Sequence, residues 1–360
     1  MKYQESFDLL FSLMRNKAFT ADVKQVNKSV EMMKDYLEAH GIACIVETFD
    51  DGRNALFAST RPGKAHKLLL NAHLDVVPES VPNQYEPVVK DGILYGRGAS
   101  DCLGNATCAA QVLINAGADA DIGVIFTSDE EDGGFTTSGM AHRGYVPTEL
   151  ACILDGGSLS SIAIGQKGIC ILKVVAHGHG GHSSAPWAFT NPILMLTDAF
   201  RKLDEAWKNP TADDQWHDTW APCMINSGSA NNQIPDDAEA VINIRFTKPG
   251  DIPRIIDFVK TTTGLDDVTV VRECEPAECS PDHPLIQRLI ASLQKLHPDV
   301  PVTTHRMNGA TDARHLTFLN LPIAIFSLGG SGAHSNNEQI PIDNWLLSID
   351  AITEFAKTFN

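Results

Sequence analysis

Five short stretches of the chain concentrate acids and imidazoles: His73-Leu74-Asp75; Asp101 after Gly96-Arg97-Gly98-Ala99-Ser100; Asp129-Glu130-Glu131-Asp132; Asp155-Gly156-Gly157; and His334 after Gly329-Gly330-Ser331-Gly332-Ala333. Any one alone is a weak signal. An isolated His or Asp in a loop is ordinarily solvated or capping, and a Gly-Arg-Gly loop is ordinarily a turn. Together they make a mixed imidazole and carboxylate donor set of the kind that suits zinc. Two cations need about eight ligand places, several of which a bridging carboxylate and a bridging water fill. Clustered carboxylates raise one another's pKa, and a double cation site removes that repulsion.

Positioning these groups falls to the elements around them. In the first half, short apolar runs alternate with helical patterns, which predicts βα units and a largely parallel sheet, hence an α/β fold. Lys67–His73, Ile122–Thr127 and Ala151–Leu154 read as buried strands, and Gly104–Ala116 as a helix. Each strand runs into polar and Gly residues, where open α/β sheets bind their ligands. Near residue 168 the texture changes. Ile169–His177 is strand-like, Asn191–Lys208 helical, Ala238–Phe246 strand-like, Ile252–Thr262 an amphipathic helix and Asp267–Glu273 a strand. A β-α-β-β-α-β order of this size makes an inserted α+β two-layer lid. After Pro281 the βα texture returns, with helix His283–Leu296, strand Pro322–Leu328 and helix Asp343–Thr358. The expected organisation is a discontinuous catalytic domain, residues 1–167 and 275–360, around a lid at 168–274.

Composition narrows the function classes. The 360 residues include 45 Asp+Glu against 28 Lys+Arg, a net charge of −17. Such a surface repels phosphate backbones and anionic membranes, so no nucleic-acid or membrane partner is expected. The first residues lack a basic segment followed by an apolar one, so no secretory leader is expected. No run of about 18 apolar residues occurs either. Cysteines 44, 102, 108, 152, 170, 223, 274 and 279 are scattered singly, which reads as reduced thiols of a cytoplasmic protein. Cys274 and Cys279 are the one candidate bridge.

The motifs, in their order from about residue 65 to the C-terminus, resemble the dinuclear zinc aminoacylase, acetylornithine deacetylase, succinyl-diaminopimelate desuccinylase and dipeptidase superfamily. The resemblance implies a zinc-peptidase-like mixed sheet flanked by helices, two Zn2+ (or Co2+ or Mn2+), and hydrolysis of an amide bond. By it, His73 and Asp155 bind one metal, Glu131 and His334 the other, and Asp101 bridges both. Glu130 matches the general base, and Asp75 the carboxylate that orients His73. The peptide after Asp101 matches one that is cis in the family. Consecutive residues leaving a strand point differently, so Glu131 can ligate while Glu130 faces the water.

In the lid, Gly178-His179-Gly180-Gly181-His182-Ser183-Ser184 is either a flexible turn, a separate weak metal site using His177, His179 and His182, or an oxyanion donor. The resemblance favours His182 as that donor, typically delivered by the other subunit of a homodimer formed through the lid and its 191–208 helix. Asn231, Asn232 and Arg245 fall at matching spacing. Arg245 would clamp a substrate carboxylate, or simply point outward from its strand. Gly309-Ala310-Thr311-Asp312-Ala313-Arg314 resembles a substrate loop, with a helix N-cap at Thr311 as the plainer reading. Two departures stand out. Cys102-Leu103-Gly104 lacks the Lys often found after the bridging Asp. Asp155 replaces the Glu usual in deacylases and, in the family, goes with enzymes that recognise a free amino terminus. The expected substrate is therefore a small peptide, with N-acyl amino acids as the alternative. A serine hydrolase would need Gly-x-Ser-x-Gly, which is missing, and a nucleotide-binding loop would need Gly-Lys-Ser/Thr. A catalytically silent metal-binding scaffold is the remaining rival.

Overall fold

The computed structural model describes residues 2–295 and 298–360. The chain divides into two compact units: Met1–Gly165 with Glu278–Arg306 and Thr311–Asn360, and Gln166–Ala277 with Met307–Ala310. The brief return at 307–310 has no compositional mark in the sequence. Among the described residues no helix is long and apolar enough to cross a membrane.

The first unit is a mixed α/β sheet. Ala65–His73, Ile122–Thr127, Val146–Ile153 and Ile323–Ile325 lie side by side and run parallel. Antiparallel strands Ala43–Thr48 and Asn54–Ser59 extend one edge, and Ser161–Gln166 joins antiparallel beyond Ile323–Ile325. The central strands are apolar on both faces, since Leu68, Leu69, Leu70, Val124, Ile125 and Phe126 are all buried. That pattern requires helices on both faces. Leu103–Ala116, nearly all buried, packs with Ile342–Ala356, whose Trp345 donates from Nε1 to the Gly104 carbonyl at 3.1 Å. Helix Val23–Ala39 packs on strands Asn54–Ser59 and Ala43–Thr48, and helix Gln4–Asn16 packs against it and against Leu103–Ala116.

Two expected elements differ in extent. Pro322–Leu328 is a ladder strand only at Ile323–Ile325. Phe326 and Leu328 are buried, so the apolar run continues past the pairing. The helix expected over His283–Leu296 is seen as Pro284–Gln294, and Leu296 lies outside the described residues.

The second unit is an antiparallel sheet in the order Thr219–Ser227, Asp237–Phe246, Gly168–His177, Asp267–Cys274. Burial alternates along its central strands because only one face is covered. Cys170, Leu172, Val174, Ile242 and Ile244 face helices Pro192–Ala206 and Ile252–Thr263, contributing Leu196, Leu203, Ile255 and Val259. The first of these helices starts where Asn191 Oδ1 accepts the Ile193 N–H, with Pro192 at a position whose missing N–H costs nothing. All eight cysteines are free thiols, Cys274 and Cys279 included.

Ile242 is fully buried at the centre of this core. Ile242→Ala is expected to destabilise the unit by about 2–5 kcal/mol in urea unfolding, the transfer and cavity cost of a core aliphatic. A loss below about 1 kcal/mol would mean that the surroundings close over the void.

Candidate active site and metal centre

Strand register brings three chain segments to one place. His73 pairs with Thr127, and Asn71 pairs with both Ile125 and Ile153. Three parallel strands therefore end side by side, at the ~4.8 Å spacing of a sheet. The chain leaves them as Leu74-Asp75, Ser128-Asp129-Glu130-Glu131 and Leu154-Asp155. Ile325 pairs with Ile153, so the loop carrying His334 begins from the next strand along. Asp101 precedes helix Leu103–Ala116, and its peptide bond to Cys102 is cis.

The first imidazole is held from behind. His73 is buried, its Nδ1 donating to the Asp75 carbonyl at 2.9 Å with Asp75 Oδ1 at 3.4 Å. Its Nε2 is thereby turned inward, 2.9 Å from Asp101 Oδ1. Asp75, also buried, accepts from Thr20 Oγ1 at 2.9 Å and from the N–H groups of Glu130 and Glu131 at 3.3 and 3.4 Å. Asp75 thus orients the imidazole through its carbonyl and carboxylate together, and its carboxylate pins the turn that carries the glutamates. Thr20 gave no signal in the sequence.

The second imidazole closes a chain of contacts. His334 Nε2 lies 3.3 Å from Asp101 Oδ2, and 3.1 and 3.0 Å from Glu131 Oε1 and Oε2. Donor atoms of His73, Asp101 and Glu131 fall within 4.8 Å of one another, as do those of His73, Glu130 and Asp155. The structure thus gathers His73, Asp75, Asp101, Glu130, Glu131, Asp155 and His334 in one cluster. Arg314 joins it, with Nη2 3.2 Å from Glu130 Oε1. The sequence marked this arginine only as the end of a loop motif. In the 309–314 motif the Thr311 side chain accepts the Ala313 N–H at the start of a short 3-10 helix.

Electrostatics favour a cation here. Burial, then the charges of Asp155 and Asp312, push Glu130 well above the usual carboxylate range. Burial, then Asp101, push Asp155 up to about 7. Hydrogen bonds to Asp101 and Glu131 push His334 up to about 10. More carboxylate is packed here than two imidazoles and one arginine balance. Imidazole nitrogens and carboxylate oxygens at these separations suit a divalent transition metal. A His whose far nitrogen is already tied to a carboxylate residue is the arrangement that makes a good ligand.

The remaining expected residues lie in the second unit. Gly181-His182 pairs with Gln233-Ile234, and the Ser183 N–H donates to the Asn232 carbonyl at 3.0 Å. His182 and the Asn231-Asn232 segment are therefore neighbours. His182 is exposed; its Nδ1 accepts the Ser184 N–H at 3.2 Å and lies 2.8 Å from Ser184 Oγ. In the neutral ring the proton then sits on Nε2, leaving an N–H donor directed away from the turn. Arg245 lies on strand Asp237–Phe246, its Nε donating to Asn243 Oδ1 at 3.1 Å. Gly309 belongs to the 307–310 segment.

The family model for peptidase family M20/M25/M40 matches residues 69–358. The chain belongs to that family. It is an amide-bond hydrolase of a metal-dependent family, with a site whose donor set fits metal. It is 27% identical to a probable succinyl-diaminopimelate desuccinylase of Staphylococcus epidermidis, over 91% of this chain and 92% of that one. Its fold is that of a Staphylococcus aureus tripeptidase, at a TM-score of 0.81, 19% identity and coverage of 99% and 98%. It is also that of a Bacillus subtilis dinuclear metal-binding peptidase, at 0.74, 12%, 99% and 97%.

Asp75 touches no reacting atom in this arrangement, so its effect has to pass through His73 and the 130–131 turn. Asp75→Asn is expected to weaken metal binding about 10–100-fold in competition with a chromophoric chelator. An unchanged affinity would free His73 from that dependence.

Proposed function

We propose that the enzyme hydrolyses amide bonds in small peptides with a free amino terminus, as a di- or tripeptidase or aminopeptidase, using two zinc ions or cobalt or manganese in their place. The observation that carries this reading is the cluster of His73, Asp101, Glu131, Asp155 and His334 beside Glu130. His73 and Asp155 would hold one ion, Glu131 and His334 the other, and Asp101 both. The bound ions supply Lewis-acid polarisation of the scissile carbonyl and make water a better nucleophile at neutral pH. Glu130 takes the proton from the attacking water and returns it to the leaving amine. A base with a raised pKa suits both halves of that transfer. Arg314, on Glu130 Oε1, fixes the orientation of the carboxylate. His182 Nε2–H stabilises the oxyanion, Asn231 and Asn232 shape the same region, and Arg245 with the Gly309 segment receives the substrate's carboxylate.

Asp155 supports the peptidase reading, since a shorter carboxylate leaves room for a substrate ammonium group. The second reading is deacylation of N-acyl amino acids, in the manner of an acetylornithine deacetylase or a desuccinylase. What favours it is the similarity over nine-tenths of the chain to the S. epidermidis protein, named for desuccinylation. An amine-release assay across free dipeptides, tripeptides and N-acetyl or N-succinyl amino acids separates the two. Peptide turnover is expected, abolished by a chelator and by Glu130→Gln, the latter with metal content unchanged. Turnover confined to acylated substrates would reverse the order of the readings. Two bound zinc ions with no amide cleaved would leave a silent scaffold.

The second unit acts in this reading as a lid and as the contact of a cytoplasmic homodimer. Thr219–Ser227 is an edge strand with Met224 and Ile225 exposed, and helix Pro192–Ala206 exposes Leu194. The free thiols accord with a reducing compartment. His182→Ala is expected to cut turnover about 10²–10³-fold. If His182 serves the partner's site, mixing inactive Glu130→Gln with His182→Ala subunits regains about a quarter of wild-type activity, because one site per mixed dimer is intact. No recovery after subunit exchange places His182 in its own subunit's site.

A further inference from the structure

Arg97 and Glu338 have no part in the chemistry above, yet they form a fully buried ion pair against the cluster. Each is 1% exposed, and Arg97 Nη1 lies 2.6 Å from Glu338 Oε2. The other oxygen, Oε1, accepts the N–H of Ser100 at 3.1 Å and that of Asp101 at 3.0 Å. Glu338 follows His334 by four residues in the same loop. A single carboxylate therefore joins the backbone of one proposed metal-binding residue to the loop of another.

One further hydrogen bond runs between the same two loops, and others join each of them to residues 78–84. Gly96 N–H donates to the Glu338 carbonyl at 3.0 Å, and Gln84 Nε2 donates to the Ser335 carbonyl at 2.6 Å. Arg97 Nη2 donates to the Pro78 carbonyl at 3.1 Å and to Ser80 Oγ at 3.0 Å. The loops also touch directly, since a Cβ on Gly330 would stand 2.3 Å from Ser100 Cβ. His334 itself has φ 59, a left-handed backbone that a non-glycine residue keeps only where its surroundings dictate it. A buried ion pair is a poor way to gain stability, because apolar replacements of similar volume often do as well. Its placement here answers a different need.

We propose that the Arg97–Glu338 pair is a positioning device that fixes the Asp101 and His334 loops relative to each other and so sets the protein's affinity for divalent cations. The inference rests on the reading of Asp101 and His334 as metal ligands. Its test compares the whole enzyme carrying R97M/E338Q with the enzyme carrying R97M/E338M. Both lack the charges and keep similar volume, but only the glutamine can offer an oxygen to the Ser100 and Asp101 N–H groups. Zinc affinity is measured by chelator competition, and coordination by the visible absorption of the cobalt(II)-loaded protein. The R97M/E338M enzyme is expected to bind zinc about 10–100-fold more weakly than R97M/E338Q and to show a shifted cobalt band. Affinities and spectra in both folded variants that equal those of wild type overturn the proposal. Asp101→Asn is the control on the ligand reading: if it binds zinc as tightly as wild type, that reading falls and the proposal with it. If R97M/E338M does not fold, the R97M/E338Q enzyme, which lacks the ion pair, is compared with wild type instead. A fall in affinity then supports the proposal, and an unchanged affinity overturns it.

Discussion

Crowding of like charge at the carboxyl ends of parallel strands is the constraint on which the site depends. Strand pairing fixes His73, Thr127 and Ile153 near one level, and the residues that follow each of them are acids. The resulting proximity of Asp75, Glu130, Glu131 and Asp155 is imposed by the sheet, whose apolar core makes any slip of register costly, and Asp101 reaches them from the start of helix Leu103–Ala116. Neutralisation must then come from protons or from cations. Without cations, protons have to do it, which is why Glu130 and Asp155 are pushed up and His334 is held protonated to about 10. Divalent ions would displace those protons, so affinity for metal and acidity of the cluster are two sides of one energetic problem.

Asp75 shows how the fold keeps one acid out of that competition. Burial alone would raise its pKa, but the hydrogen bond and charge of His73, with Thr20 and the Glu131 N–H, bring it below the usual range. It stays ionised and spends its lone pairs on fixing others. The same logic separates Glu130 from Glu131. Glu131 reaches His334, whereas Glu130 turns towards Arg314, and so two adjacent and chemically similar side chains acquire different partners.

Much of this was legible in the sequence because the acids and imidazoles fall in short clusters, most of them at strand ends, although the clusters themselves lie far apart along the chain. The runs Leu68–Leu70 and Val124–Phe126 announce buried parallel strands, and the polar clusters after them announce where chemistry lies. What escaped was long-range pairing. Arg97 and Glu338 are 241 residues apart, and Arg314 and the Glu130 carbonyl 184, distances over which no local pattern links partners. Gly96-Arg97-Gly98 and Asp312-Ala313-Arg314 were visible as motifs, but their partners were not. The 322–328 run misled for a related reason. Burial selects apolar residues whether or not the backbone is in a ladder, so Phe326 and Leu328 read as strand although the ladder ends at Ile325, save for the Phe326 N–H donating to the Ile153 carbonyl at 3.0 Å.

The second unit poses the same question on a barer surface. Its sheet is covered on one face only, so alternate residues of the central strands, Lys173, Asn243 and Arg245 among them, point away from the helices. His182 gains its orientation differently, from a two-residue pairing with Gln233 and from the Ser184 N–H, which leaves Nε2 as the donor. Neither device is large. A turn held by so few bonds opens at little cost, whereas His73 and His334 are tied by their ring nitrogens to Asp75, Asp101 and Glu131 and keep their place as long as the cluster does.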